Sequence, residues 1–144
     1  GNGQSRLTLD HSTLQGNFAG RSGGGFYANT NVYDKSTEVT ITDSTLSDNW
    51  AFLNGGGFYA DSRHVLMFGT TVSGNDANGS GGGYYVYSCL FFCGGAQPPP
   101  YSHLSMVNST VSGNSAVGGT GGWLLSAPGT PSADGEVLAV SLVC

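Results

Sequence analysis

The amino-acid sequence predicts an all-β protein, namely a right-handed parallel β-helix with three sheets and about four and a half coils. One short motif recurs four times along the chain. Apolar and polar residues alternate ahead of each copy, which indicates strands with one buried face. All differences in length between copies fall at one point, as in a solenoid that carries its insertions on a single loop.

The motif is centred on an asparagine, and an alanine follows it two residues later. The four asparagines are Asn17, Asn49, Asn75 and Asn114. A glycine always stands eight residues after the asparagine, and an aromatic residue comes next. These aromatic residues are Phe26, Phe58, Tyr84 and Trp123. The intervals between successive asparagines are 32, 26 and 39 residues, so the variation in length lies after the aromatic residue.

Each copy of the motif predicts three short strands. In the first copy they contain Leu7 and Leu9, then residues 13–15, then the segment that starts at Phe26. Strands that recur in register can stack about 4.8 Å apart into parallel sheets around one narrow core. An antiparallel sandwich would also explain the glycine content, but it does not explain why equivalent residues recur at equivalent positions.

The repeats indicate one domain over residues 1–144, either a whole β-helix or a fragment of a longer solenoid. Its longest insertion is expected at residues 87–103. A fifth coil is expected to begin at Glu136 and to stop unfinished at Cys144.

Stacked coils turn each aligned position into a column of residues. Three columns are apolar and are expected to face the core. Their members are Leu9/Ile41/Met67/Met106, Leu14/Leu46/Val72/Val111 and the aromatic residues given above. The asparagines form a polar column at a turn, where asparagine tolerates left-handed backbone and its amide can bond the amide one coil away. We therefore interpret Asn17, Asn49, Asn75 and Asn114 as a structural ladder.

Composition and charge argue against several classes of function. The formal net charge is −5 and Lys and Arg number only four, which does not fit a nucleic-acid partner. No apolar run approaches the roughly 20 residues of a membrane span. The glycine-rich segments lack the strand-to-helix context of a phosphate-binding loop, and the three Cys and three His lack metal-ligand spacing. We predict no cofactor and no metal site.

An enzymatic role is not expected either. Polysaccharide cleavage requires clustered carboxylates with a basic residue nearby. Asp10 and Asp43 fall near one predicted corner, beside His11, but later coils place Gly69 and Asn108 at the position of Asp43. No column holds two acidic residues next to a Lys or Arg.

Two outward columns are candidates for binding. Tyr27, Tyr59 and Tyr85 form a stripe that could stack on sugar rings or on a partner, or could pair across strands and stiffen the sheet. The second column is a threonine array beside serine, less favourable as an ice-binding face because one row carries Gln15.

Three features indicate an extracellular or cell-surface setting. Asn78 and Asn108 each begin an Asn-x-Ser/Thr sequon at a predicted turn, so both are candidate N-glycosylation sites. Cys89 and Cys93 lie in the longest insertion and are a candidate disulfide, although Cys144 is an alternative partner for either. The same insertion carries a run of three prolines, which favours a rigid polyproline II segment.

The unit Asn-x-Ala followed by Gly-Gly-Gly-Phe-Tyr-Ala resembles the repeats of chlamydial polymorphic outer-membrane proteins. Those repeats pair Phe-x-x-Asn with Gly-Gly-Ala-Ile. Here Leu14 stands at the first Phe, Gly25 at the Ala and Phe26 at the Ile, and the likeness extends from residue 7 to about 125. The resemblance implies a pectate-lyase-like β-helix used for display or adhesion.

Unpaired strand edges at the ends of such a helix invite further coils or other subunits. A head-to-tail contact does not close and so produces a fibre. We therefore expect a non-enzymatic, structural or adhesive extracellular protein that self-associates or binds other surface-protein subunits. A polysaccharide-binding or polysaccharide-cleaving module that uses the tyrosine stripe is the alternative.

Overall fold

The computed structural model describes residues 6–29, 38–62, 64–87, 103–119, 121 and 123–126. These residues form sixteen β-strands, four in each of four coils. Coil 1 contains β1 (Arg6–Asp10), β2 (Thr13–Gln15), β3 (Phe18–Ala19) and β4 (Phe26–Asn29). Coil 2 contains β5 (Glu38–Thr42), β6 (Thr45–Ser47), β7 (Trp50–Ala51) and β8 (Phe58–Asp61). Coil 3 contains β9 (His64–Phe68), β10 (Thr71–Ser73), β11 (Asp76–Ala77) and β12 (Tyr84–Tyr87). Coil 4 contains β13 (His103–Val107), β14 (Thr110–Ser112), β15 (Ser115–Ala116) and β16 (Trp123–Ser126).

Every strand pairs in parallel with its counterpart one coil away, which confirms the predicted parallel β-helix. The predicted number of sheets was wrong, because the strands form four sheets instead of three. We call them sheets 1 to 4, in the order in which each coil visits them. Sheet 3 is the unexpected one, and its strands β3, β7, β11 and β15 have only two residues each. Two residues are too few to display an alternating pattern, so the sequence marked this sheet only by its recurrent alanine.

The strand registers agree with the columns deduced from the repeat. Leu9 pairs with Ile41, which pairs with Met67, and Phe26 pairs with Phe58. The core columns of coils 2 and 3 are almost completely buried, whereas their counterparts in coils 1 and 4 are partly exposed.

The aromatic core column is a stack of rings. Phe26 and Phe58 have ring centroids 4.9 Å apart, and those of Phe58 and Tyr84 are 5.1 Å apart. Burial raises the pKa of the Tyr84 phenol, whose hydroxyl lies 3.6 Å from Met106 Sδ. The column continues in register to Trp123.

The turns between sheets depend on left-handed backbone, but not at the predicted residue. Between sheets 2 and 3 the positive φ lies at the residue before each ladder asparagine. These residues are Gly16 (66°), Asp48 (55°), Gly74 (63°) and Gly113 (60°). The expectation that the asparagines themselves adopt this conformation was wrong, because their side chains serve as hydrogen-bonding partners while the preceding residue makes the turn.

The turn between sheets 1 and 2 also contains a residue with positive φ in every coil. Its positive-φ residues are His11 (45°), Asp43 (45°), Gly69 (58°) and Asn108 (48°). Aspartate and asparagine tolerate this conformation better than most residues with a side chain, and glycine has no penalty there.

The glycine pairs before sheet 4 allow neighbouring coils to approach closely. Gly57 N–H donates to Gly83 O at 2.9 Å, and a Cβ built on Gly57 would overlap that same oxygen. At Gly20, in contrast, a Cβ would meet nothing within 4 Å. The prolines, the fifth coil and residues 88–102 of the predicted insertion lie outside the described residues.

The Gly57→Ala substitution should reduce the free energy of unfolding by about 1–3 kcal/mol, because the new methyl group forces two backbones apart. The Gly20→Ala substitution should change it by less than about 0.5 kcal/mol. Urea denaturation of the two variants beside the parent chain measures the difference. Equal stability of the two variants would contradict the close approach at Gly57.

Candidate functional surfaces

The four ladder asparagines occupy one edge of the solenoid and bond from coil to coil in one direction. Asn17 donates its backbone N–H and its side-chain amide to Asn49 Oδ1, at 3.0 and 2.9 Å. Asn49 donates in the same way to Asn75 Oδ1, and Asn75 to Asn114 Oδ1. The second amide hydrogen of Asn75 bonds Leu46 O at 2.9 Å. The ladder therefore fixes the sheet 2 to sheet 3 turn and has a chemical polarity along the axis.

A second row of polar side chains, not expected from the sequence, lies at the turn before sheet 2. Ser44 Oγ accepts the backbone N–H of Ser12 at 3.0 Å and donates to Thr42 O at 2.6 Å. Ser109 Oγ accepts the N–H of Thr70 at 3.1 Å in the same manner. A Ser or Thr stands five residues before every ladder asparagine, so the aligned repeats did contain the signal.

The tyrosine stripe lies on the outer face of sheet 4. Tyr27 and Tyr59 have ring centroids 4.9 Å apart with a 13° angle between planes, and Tyr59 and Tyr85 are 5.3 Å apart at 6°. Tyr59 is therefore covered on both faces, and Tyr27 and Tyr85 are each covered on one, so the stripe presents mainly edges and hydroxyl groups outward. This geometry suits cross-strand stiffening better than the stacking of a sugar on a ring face.

A second aromatic surface lies on sheet 3 and was missed from the sequence. Phe18 and Trp50 stack with centroids 4.5 Å apart at 11°, and Phe52 meets Trp50 at 6.1 Å and 60°. Phe18 and Phe52 are 73% and 52% exposed. We call Phe18, Trp50 and Phe52 the sheet 3 patch. Its column continues with Asp76 and Ser115, so no repeat of aromatic residues marked it.

Asp10, His11 and Asp43 gather at the turn between sheets 1 and 2. His11 Nδ1 lies 3.0 Å from Asp10 Oδ1, and His11 Nε2 lies 3.8 Å from Asp43 Oδ2. Thr42 donates its hydroxyl to Asp10 at 2.6 Å. The potential ligand atoms of Asp10, His11 and Asp43 lie within 4.8 Å of one another, close enough to hold a metal ion, although all three residues are exposed. The prediction of no metal site stays a prediction.

The electrostatics of this group follow from its contacts. The pKa of His11 is raised, first by the hydrogen bond to Asp10 and then by the negative charges of Asp10 and Asp43. The pKa of Asp10 is lowered, first by the hydrogen bond from Thr42 and then by His11. The arrangement favours the protonated form of the His11 imidazole.

The two sequon asparagines, Asn78 and Asn108, are both exposed. Asn108 occupies a positive-φ turn position, and Asn78 follows the short strand β11. Their glycosylation stays a prediction. The candidate disulfide between Cys89 and Cys93, and the alternative partner Cys144, lie outside the described residues.

No family model, curated protein or solved structure matches the chain. Among the described residues, no helix is long and apolar enough to cross a membrane.

The ladder predicts a large difference between an interior and a terminal asparagine. The Asn75→Ala substitution should destabilise the protein by about 3 kcal/mol, because the backbone N–H and side-chain amide of Asn49 and the carbonyl of Leu46 lose their partner. The Asn17→Ala substitution should cost only about 1 kcal/mol, because Asn17 is exposed and water replaces it. Denaturant unfolding of both variants tests this order, and the reverse order would contradict the ladder.

Titration of His11 by NMR should give a pKa above that of an ordinary histidine. Its contribution to stability is complete at low pH and is lost as the pH rises through the raised pKa, whereas that of Asp10 is lost as the pH falls through its lowered pKa. The Asp10→Asn substitution should lower the pKa of His11 more than Asp43→Asn does, because Asp10 supplies the hydrogen bond. A larger effect of Asp43→Asn would contradict the assignment.

Proposed function

We propose that this chain is a non-enzymatic structural or adhesive part of an extracellular surface or fibre, and that its coils stack head to tail. The observation that carries the proposal is the partly exposed core of coil 1, at one end of the described coils. In coil 2, Leu46 and Ile41 are 0% exposed, whereas Leu14 and Leu9 at the same positions of coil 1 are only partly buried. Another coil placed on this end would bury them.

The polarity of the asparagine ladder supports a head-to-tail arrangement. Within the described residues, Asn17 Oδ1 accepts no hydrogen bond at the coil 1 end, and the backbone N–H of Asn114 donates none at the coil 4 end. In the four described coils, coil 1 therefore offers an acceptor and coil 4 offers a donor. Two copies stacked in the same direction would continue the ladder without a change in its geometry, which is a heterologous contact that does not close.

The resemblance of the repeats to those of polymorphic outer-membrane proteins agrees with this role and with a pectate-lyase-like β-helix. The two sequons, the proline run and the cysteines of the insertion support the extracellular setting.

A polysaccharide-binding module is the second candidate. The tyrosine stripe gives it little support, because the ring faces of Tyr27, Tyr59 and Tyr85 are turned toward one another. The sheet 3 patch favours it more, since Phe18 and Phe52 are widely exposed.

Sedimentation velocity and electron microscopy of the purified chain test the structural proposal. We expect association that increases with concentration and particles that lengthen at constant width. The Leu14→Lys substitution should abolish growth at the coil 1 end, because it places an ammonium group in the axial contact. The Thr13→Lys substitution is the matched control: it adds the same charge one residue away, at an exposed outward position, and should assemble like the parent chain.

A further measurement separates blocked assembly from failed folding. The Leu14→Lys substitution blocks only the coil 1 end. The coil 4 end of a folded variant chain should still bind the coil 1 end of a parent chain, so small amounts of the variant should shorten parental filaments. A parent chain that stays monomeric at every concentration would overturn the proposal. A Leu14→Lys variant that assembles as the parent does would overturn it as well.

A further inference from the structure

We propose that Asn78 is glycosylated and that the first sugars of its glycan pack on the sheet 3 patch, against Trp50 and Phe52. This goes beyond the axial assembly proposed above, because the surface involved is on the side of the solenoid. It shares with that proposal only the assumption that the protein is exported from the cell.

The strand register places Asn78 beside Phe52. Ala77 of β11 pairs with Ala51 of β7, and the next N–H, that of Asn78, donates to Ala51 O at 3.1 Å. The pairing continues with the N–H of Gly79 bonding Leu53 O at 2.6 Å. Asn78 and Phe52 therefore occupy the same column in adjacent coils, about 4.8 Å apart along the axis. Both are exposed.

The sheet 3 patch contains two aromatic rings that meet at an angle. Trp50 and Phe52 meet at 60°, so their rings form two sides of an apolar corner. Phe18 covers one face of Trp50, and the other face is directed toward coil 3, where the column continues with the much shorter Asp76. The step from large to small side chains leaves room above Trp50 on the side where Asn78 is attached.

The chemistry of the sheet 3 patch fits a sugar ring. The face of an aromatic ring is electron-rich and attracts the polarised C–H groups on one face of a pyranose. Asp76 is exposed, and its Oδ1 accepts the hydroxyl of Ser115, so the other carboxylate oxygen is available to a sugar hydroxyl. On the opposite flank of Asn78 the column continues with Val117, which is 85% exposed. A glycan on Asn78 would thus have apolar side chains on both sides.

Asn108 supplies an internal comparison. It is exposed and begins the other sequon, but its column carries Gly69 in coil 3 and Asp43 in coil 2, where the column of Asn78 has Phe52. A glycan on Asn108 would project from a turn whose own column has no aromatic residue in the adjacent coil. The partly exposed Phe68 lies one position away, paired with Val107. The two sites should therefore differ in their coupling to the protein.

The experiment uses the chain secreted from a eukaryotic host, with occupancy of Asn78 and Asn108 measured by peptide mass mapping. A Trp123→Phe background leaves Trp50 as the single tryptophan, because the sequence has two. Acrylamide quenching of Trp50 fluorescence is compared between the glycosylated chain, Asn78→Gln and Asn108→Gln. Loss of the Asn78 glycan should raise the quenching constant about twofold, since the exposed ring face is uncovered. Loss of the Asn108 glycan should leave it unchanged.

Thermal unfolding supplies a second readout. The Asn78→Gln substitution should lower Tm by about 2–4 °C, and Asn108→Gln should lower it less. In a Phe52→Ser background the effect of Asn78→Gln should largely disappear, because the surface that the glycan covers is gone.

The inference would be overturned by an unoccupied Asn78, by equal Trp50 quenching with and without the Asn78 glycan, or by an effect of Asn78→Gln that persists in the Phe52→Ser background. Quenching that falls with protein concentration, with the glycan present, would assign the patch to a second copy of the chain and would also overturn it.

Discussion

The rest of the structure depends on the in-register parallel pairing of successive coils. Strands about 4.8 Å apart bring each residue against its counterpart one coil away, so every aligned position must be occupied by residues that tolerate their own kind as neighbours. Leucine, isoleucine and methionine meet this condition by packing, as in the column of Leu9, Ile41 and Met67. Glycine meets it where two backbones approach so closely that Gly57 has no room for a Cβ. Few charged residues meet it, since like charges stacked at this spacing repel one another.

The same constraint explains how polar groups remain inside a narrow core. An asparagine amide is both donor and acceptor, so one asparagine satisfies the next, and Asn75 is 0% exposed yet fully bonded. The hydroxyls of Ser44 and Thr70 are satisfied by backbone groups instead: each donates to the carbonyl two residues earlier, and Ser44 Oγ also accepts the N–H of Ser12 one coil away. Within the described residues, no buried side-chain nitrogen or oxygen lacks a partner. Each row of polar side chains stabilises a turn, because the positive-φ residue that makes the turn lies next to it in every coil.

These columns also decide how much of the molecule could be predicted from its sequence. The apolar columns, the asparagine ladder and the parallel register were predictable because recurrence at a constant spacing has no simpler cause than stacking. Sheet 3 was not predictable as a sheet, since Phe18–Ala19 and its counterparts are shorter than one period of alternation. The left-handed residue could not be assigned from asparagine's known tolerance, because Asp48 and the glycines beside the ladder share that tolerance. The grouping of Asp10, His11 and Asp43 was visible only as proximity to one corner, and their distances depend on side-chain rotamers that sequence does not specify.

The stacking of equivalent residues also decides which aromatic columns serve the structure and which are open to recognition. In the run of Tyr27, Tyr59 and Tyr85, neighbouring rings cover the faces between them, because each ring is parallel to the next at about the spacing of the coils. Only the end rings of such a run keep one face outside the stack. A column that is interrupted leaves one face open at the point of interruption, as Trp50 does where Asp76 follows it. The repeat therefore builds the solenoid and at the same time removes its aromatic faces from solvent. Binding surfaces on this fold should therefore lie where an outward column departs from the repeat. Such positions are not marked by recurring residues in the sequence.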